Sequence, residues 1–78
     1  MNEISERIAF ARIARAIRKD WKKVSVYAEP YLKAMERDDY GLDGTYSVVL
    51  RFLSNASGYR GELARTLKAE LKSITVSK

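Results

Sequence analysis

"IARAIRKDWKK", residues 13–23, sets Arg15, Arg18, Lys19, Lys22 and Lys23 among Ile13, Ile17 and Trp21. The period of that mixture decides how the chain folds. At about 100° per residue, Phe10, Ile13, Ala14, Ile17, Trp21 and Val24 fall within an arc of roughly 100°. Arg12, Arg15, Arg18, Lys19, Lys22 and Lys23 fall opposite them, within roughly 140°. Such segregation predicts an amphipathic helix from about Glu3 to Lys23, with its apolar stripe on a core and its cations in water. Ile4 and Ile8 break the pattern by projecting onto the basic side. They either pack under another element or form a small exposed apolar spot.

Working outward, "VSVYAEP" holds β-branched and aromatic residues and then a proline, which argues for an extended linker. Pro30 suits the first turn of a short second helix, Pro30 to about Arg37, with Tyr31, Leu32 and Met35 on its apolar side. "ERDDYGLDG" is a polar connection in which Gly41 is a candidate terminator. Asp43 is placed to cap a third helix, Gly44 to about Asn55. There Tyr46, Val49, Leu50 and Leu53 take the i, i+3, i+4, i+7 positions, and Val48 and Phe52 widen the stripe. "SNASG" is turn chemistry. A fourth helix runs from about Arg60 to Ser73, with Leu63, Leu67, Leu71 and Ile74 on one side and Arg65, Lys68 and Lys72 on another. Residues 1–73 form one helical domain on this reading. "ITVSK", residues 74–78, is a frayed tail or a short strand, with "VSVY" as its only partner. The expected fold is all-α, a compact bundle of three to four helices. Its core would be Phe10, Ile13, Ile17, Trp21, Leu32, Val49, Leu50, Phe52, Leu53, Leu63, Leu67 and Leu71.

The 78 residues make one domain near the lower size limit for independent folding. A core of this size stabilises a fold by only roughly 3–5 kcal/mol, so a monomer or a homodimer is expected. The chain has no cysteine and no histidine. That excludes disulfides and thiolate metal sites and removes the commonest general base and metal ligand. No cofactor and no metal are expected. "MNEISERIAF" has early acids and no long apolar run, which predicts neither a signal peptide nor a membrane span, and a cytoplasmic setting. The formal charge of +5 is uneven. Residues 1–23 hold seven Lys/Arg and three acids, residues 24–57 three and five, and residues 58–78 five and two. Two basic ends flank an acidic middle, and a basic protein is drawn to polyanions.

Four constellations carry candidate chemistry. On the basic face of the first helix, six cations with one intervening acid, Asp20, exceed what solubility requires and suit phosphates. Trp21 lies among them, but its angle assigns it to the core rather than to base stacking. In "NASGYRGELAR", residues 55–65, two glycines flank Tyr59 and Arg60 just before a helix, where free N–H groups attract anions. The spacing matches no phosphate-binding loop. The blander reading is favoured: Gly58 at positive φ, Gly61 letting the fourth helix lie close to the third, Tyr59 packed, and Arg60 paired with a carboxylate. The third and fourth helices resemble a helix-turn-helix offering Arg60, Arg65, Thr66, Lys68 and Lys72 to a groove, but with too long a turn. The acids Glu36, Asp38, Asp39 and Asp43 lack the alternation of a calcium loop and read as a solvated connection. No nucleophile has a visible base, so no catalytic residue is assigned and an enzyme is not expected.

"IARAIRKDWKK", "AEPYLKAM", "YGLDGTYSVVLRFLSNAS" and "YRGELARTLKAEL" together resemble a group of small uncharacterised proteins of bacteriophages and other mobile elements. The shared order is Arg-x-Asp-Trp-Lys-Lys, a Pro-Tyr-Leu helix, a Tyr-Gly turn, Phe-Leu-x-Asn-Ala, then aromatic-Arg-Gly-Glu. The likeness covers about residues 13–72, and Tyr59 stands where the group has Trp. The group has no established function, so the resemblance implies only a setting. Accessory proteins of this kind bind host machinery stoichiometrically, including restriction and CRISPR complexes. The expected site is therefore Arg15, Arg18, Lys19, Lys22 and Lys23 for long-range attraction, with Tyr59 and Arg60 as a specific anchor. The expected partner is a host protein or nucleoprotein complex. Direct nucleic-acid binding by the same residues is the alternative, and no membrane is involved.

Overall fold

Four stretches of helical periodicity become four helices. The computed structural model describes residues 3–76 and contains α1 (Glu3–Asp20), α2 (Glu29–Arg37), α3 (Thr45–Ser54) and α4 (Glu62–Val76). Helix α1 packs on α2 and α4, and α3 packs on the same two, so the helices form a ring in chain order. Arg7, early in α1, reaches Asp38 just past α2. Arg18, late in α1, reaches Glu29 at the start of α2. Tyr59, ahead of α4, meets Asp20 at the end of α1. Ring neighbours are therefore antiparallel, in an up-down-up-down bundle. Across the diagonal α1 and α3 run the same way, with Phe10 edge-on to Tyr46 and Trp21 edge-on to Phe52, both at 6.3 Å between ring centres.

The core is built as the stripes require. Phe10, Ile13 and Ile17 of α1, Leu32 and Met35 of α2, Val49 and Phe52 of α3 and Leu71 of α4 are fully buried. Each such side chain stabilises the fold by about 1.5–3 kcal/mol relative to exposure. Two expected core residues are not in it. Leu50 and Leu63 keep 47 % and 48 % of their surface. Helix α3 turns Val48, Val49 and Phe52 inward, which sets Leu50 to one side, and α4 meets the core with the small Ala64 rather than Leu63. Leu53 is half-buried against the core.

The helix ends differ from expectation in instructive ways. Helix α1 stops at Asp20, before Lys23. Residues 24–28 are not an extended linker: Ser25 accepts the Ala28 N–H on both its carbonyl and its hydroxyl oxygen, at 3.1 and 3.2 Å. That turn leads directly into α2, whose first residue is Glu29, with Pro30 second. Helix α2 is terminated by Asp38 rather than Gly41. Asp38 adopts the left-handed conformation (φ 52°), its N–H reaches Met35 O, and the Asp39 N–H reaches Ala34 O. This is the paired-bond C-terminal motif that usually holds glycine. Asp43 does not cap α3. Gly44 is the N-cap without a side-chain bond, and Asp43 lies 3.9 Å from Arg51 instead. Gly58 does not take the positive φ; Gly61 does, at 119°. A Cβ on Gly61 would meet nothing within 4 Å, so its role is backbone conformation and not close helix approach. Helix α4 starts at Glu62 rather than Arg60 and continues through Ile74, Thr75 and Val76, so this part of the expected tail is helical. Among the described residues there is no strand. Ser77 and Lys78, the rest of that tail, lie outside them.

Candidate functional site

The cations of α1 do not share one fate. Arg18 is drawn from the basic face to α2, where it lies half-buried between two acids. Its Nη1 and Nη2 donate to the two Glu29 oxygens at 2.7 and 2.6 Å, and its Nε and Nη2 donate to Glu36 at 3.2 and 2.7 Å. Glu29 and Glu36 lie seven residues apart on one face of α2, and the guanidinium fork bridges them. Donation to Glu29 and then to Glu36 raises the Arg18 pKa above its ordinary value, and the bond from Arg18 holds Glu29 below its own. Arg18 is thus a fastener between α1 and α2 and is withdrawn from the expected site.

Tyr59 is withdrawn as well. It is only 2 % exposed. Its ring stacks on Trp21 with centres 5.1 Å apart and planes at 17°. Its hydroxyl donates to Asp20 at 2.8 Å. Burial, and then the Asp20 bond, push its pKa above the ordinary tyrosine value. Lys68 closes the other side, with Nζ 5.8 Å from the ring centre and donating to Ala56 O and Tyr59 O at 3.1 and 2.6 Å. Tyr59 packs, as the blander reading had it, and the stacking or anchoring role goes. Arg60 is exposed, but its Nε reaches the Ser57 carbonyl at 3.4 Å rather than a carboxylate. Lys68 and Thr66, which bonds back to Glu62 O, are turned to local backbone rather than offered to a groove.

What Tyr59 does instead is join the two basic ends of the chain. Through the Asp20–Tyr59–Trp21 contact, the end of α1 with Lys19, Lys22 and Lys23 meets the start of α4. There Tyr59, Arg60, Gly61, Arg65 and Lys68 line a shallow hollow of about 310 Å³. Lys19, Lys22, Lys23, Arg60 and Arg65 are exposed, as is Arg15 one turn back along α1. Ion pairs among the described residues use none of these six. Five acids are engaged: Glu29 and Glu36 on Arg18, Asp38 on Arg7, Asp43 near Arg51, and Asp20, at this same end, on Tyr59, while Glu62 lies exposed here in the first turn of α4. One end of the bundle is therefore cationic with little internal compensation. Lys19 also suits the negative pole of α1.

One feature of this end escaped sequence reasoning. Val26 and Tyr27 are 77 % and 73 % exposed, in the turn that directly follows Lys22 and Lys23. β-propensity pointed to an extended linker there. The usable signal was apolar side chains in a segment too short to reach a core. Away from this end, Glu36, Asp38 and Asp43 are dispersed over separate ion pairs while Asp39 accepts the Gly41 N–H, and the described residues contain no group of three or more acids arranged to hold a metal ion. Among the described residues no helix is long and apolar enough to cross a membrane.

No protein-family model, no curated protein and no solved structure matches this chain. The resemblance to proteins of mobile elements rests on the quoted residues.

Proposed function

We propose that this chain is a stoichiometric binding protein that docks its cationic end onto an acidic face of a host complex. Inhibition of a defence nuclease, of the anti-CRISPR or anti-restriction kind, is the setting its resemblance implies. The observation that supports this reading is the joining of two basic segments, far apart in sequence, into one surface on which the exposed cations outnumber the acids, Asp20 and Glu62. Arg15, Lys19, Lys22, Lys23, Arg60 and Arg65 supply attraction and orientation, and exposed Tyr27 replaces Tyr59 as the aromatic anchor. The rigid bundle limits the entropic cost of presenting them.

A second reading, direct binding of single-stranded nucleic acid, is favoured by Tyr27 itself. An exposed ring beside two lysines can stack on a base while the lysines meet phosphates. A mobility-shift series across salt separates the two. Tight binding to DNA or RNA that falls steeply with salt overturns the protein-partner reading. Absence of binding at low salt retires the nucleic-acid reading. Affinity capture from host lysate with the wild type and with Lys22→Glu/Lys23→Glu then tests the first: an acidic host complex should be retained by the wild type and lost by the variant. Equal retention by both overturns it.

A further inference from the structure

The end of the bundle opposite the cations has a different character. Ile4 and Ile8 on α1 are 68 % and 65 % exposed, and Leu42, at the tip of the 38–44 connection, is fully exposed. Ile8 lies beside the Arg7–Asp38 pair, and the connection that carries Leu42 starts from its other side. Arg7, Ile8, Ala11, Arg15 and Asp38 line a hollow of about 220 Å³, and Arg7 and Asp38 also line the neighbouring hollow formed by the 38–44 connection. The two halves carry opposite charge. Arg12, one turn beyond Ile8, is exposed and enters no ion pair among the described residues. Asp39, beside Leu42, accepts only the Gly41 N–H, at 3.4 Å.

We propose that this surface pairs with a second copy of the chain about a two-fold axis passing near Arg7 and Asp38. Leu42 of each copy enters the hollow beside Ile8 of the other, and Asp39 of each faces Arg12 of the other. An isologous interface requires one patch to carry both members of every contact, and this one does: a projecting leucine with an acid, and a receiving hollow with a base. A foreign partner has no need of that self-complementarity. The patch is small, so the dimer is a weak one, below the size of standard stable interfaces. Pairing in this way draws Arg15 to the edge of the interface and leaves Lys19, Lys22, Lys23, Arg60 and Arg65 pointing outward and accessible.

Sedimentation equilibrium of the full chain from about 10 μM to about 1 mM tests this. The expected result is a mass that rises from monomer toward dimer and no further. Ile8→Glu and Leu42→Asp should each weaken association at least tenfold. Both sites are exposed, so circular dichroism should show an unchanged fold. Arg12→Asp should weaken association, and adding Asp39→Arg should restore it. A monomer at the highest concentration, association unchanged by both apolar substitutions, growth beyond dimer, or failure of the charge swap to rescue would each overturn the proposal.

Discussion

Tyr40 and Tyr59 show how two buried tyrosines of one small protein differ in energetic sign. Both rings are buried, but the Tyr59 hydroxyl has Asp20, whereas the Tyr40 hydroxyl is buried with no hydrogen-bond partner among the described residues. A buried unpaired hydroxyl is a cost, and its removal a gain. Tyr40→Phe is therefore expected to stabilise the fold by up to about 1 kcal/mol, and Tyr59→Phe to destabilise it by about 1–2 kcal/mol, read from urea midpoints. The tyrosines also set an alkaline limit. Burial, and then nearby Asp38, push the Tyr40 pKa up to about 12, so the unfolded chain releases this proton first. Stability is then complete below about pH 10 and declines as pH rises toward the folded value, since the unfolded state binds fewer protons there. Ultraviolet titration of tyrosinate should show a late component that shrinks in Tyr40→Phe. None of this was legible in the sequence. "GYRG" displays an aromatic between glycines whether the ring faces water or Trp21, and only packing decides.

At the scale of the elements, α1 and α2 are joined by the Arg18 fork and α3 begins without a side-chain cap. Glu29 has a folded pKa below its ordinary value near 4.5 because Arg18 donates to it. Its contribution is present above that value and is lost as pH falls through the folded pKa, because the unfolded state then binds more protons. The groups are partly exposed, so solvent screening limits the effect to about 1 kcal/mol. Arg18→Gln should lower stability by about that amount at neutral pH and flatten the acid limb of a pH–stability curve. At the start of α3, Gly44 sits in extended backbone with open space around its missing Cβ. Gly44→Ser supplies the absent acceptor and should raise the melting temperature, by a few tenths of a kcal/mol in stability. The existence and type of the helices were legible because a period of 3.6 is a local property of the chain. Their ends were less so. Asp38 as a left-handed terminator in place of Gly41, and Asp43 turned to Arg51 rather than to Thr45, reflect competition among neighbouring polar groups that no single position announces.

Taken whole, the molecule is a bundle of 30 × 23 × 19 Å with a cationic end and an apolar end. The cationic end should retain the protein on a heparin column. Lys19→Glu/Lys22→Glu/Lys23→Glu should elute at much lower salt, because fewer counterions are displaced from the polyanion on binding, while the thermal melt stays close to wild type. Retention unchanged by the triple substitution would show that these lysines are not the contact. The sequence by itself determined the all-α class, the positions of four helices and most of the core, because each rests on the spacing of apolar residues along a helix. It also showed that both ends of the chain are basic. Only the tertiary structure decided which cations remain available. Arg18 is consumed by two acids of α2, Tyr59 is buried against Trp21, and Lys68 is drawn to two carbonyls. Availability depends on which charges and rings meet across the bundle, and those meetings join residues that lie 9 to 39 apart along the chain.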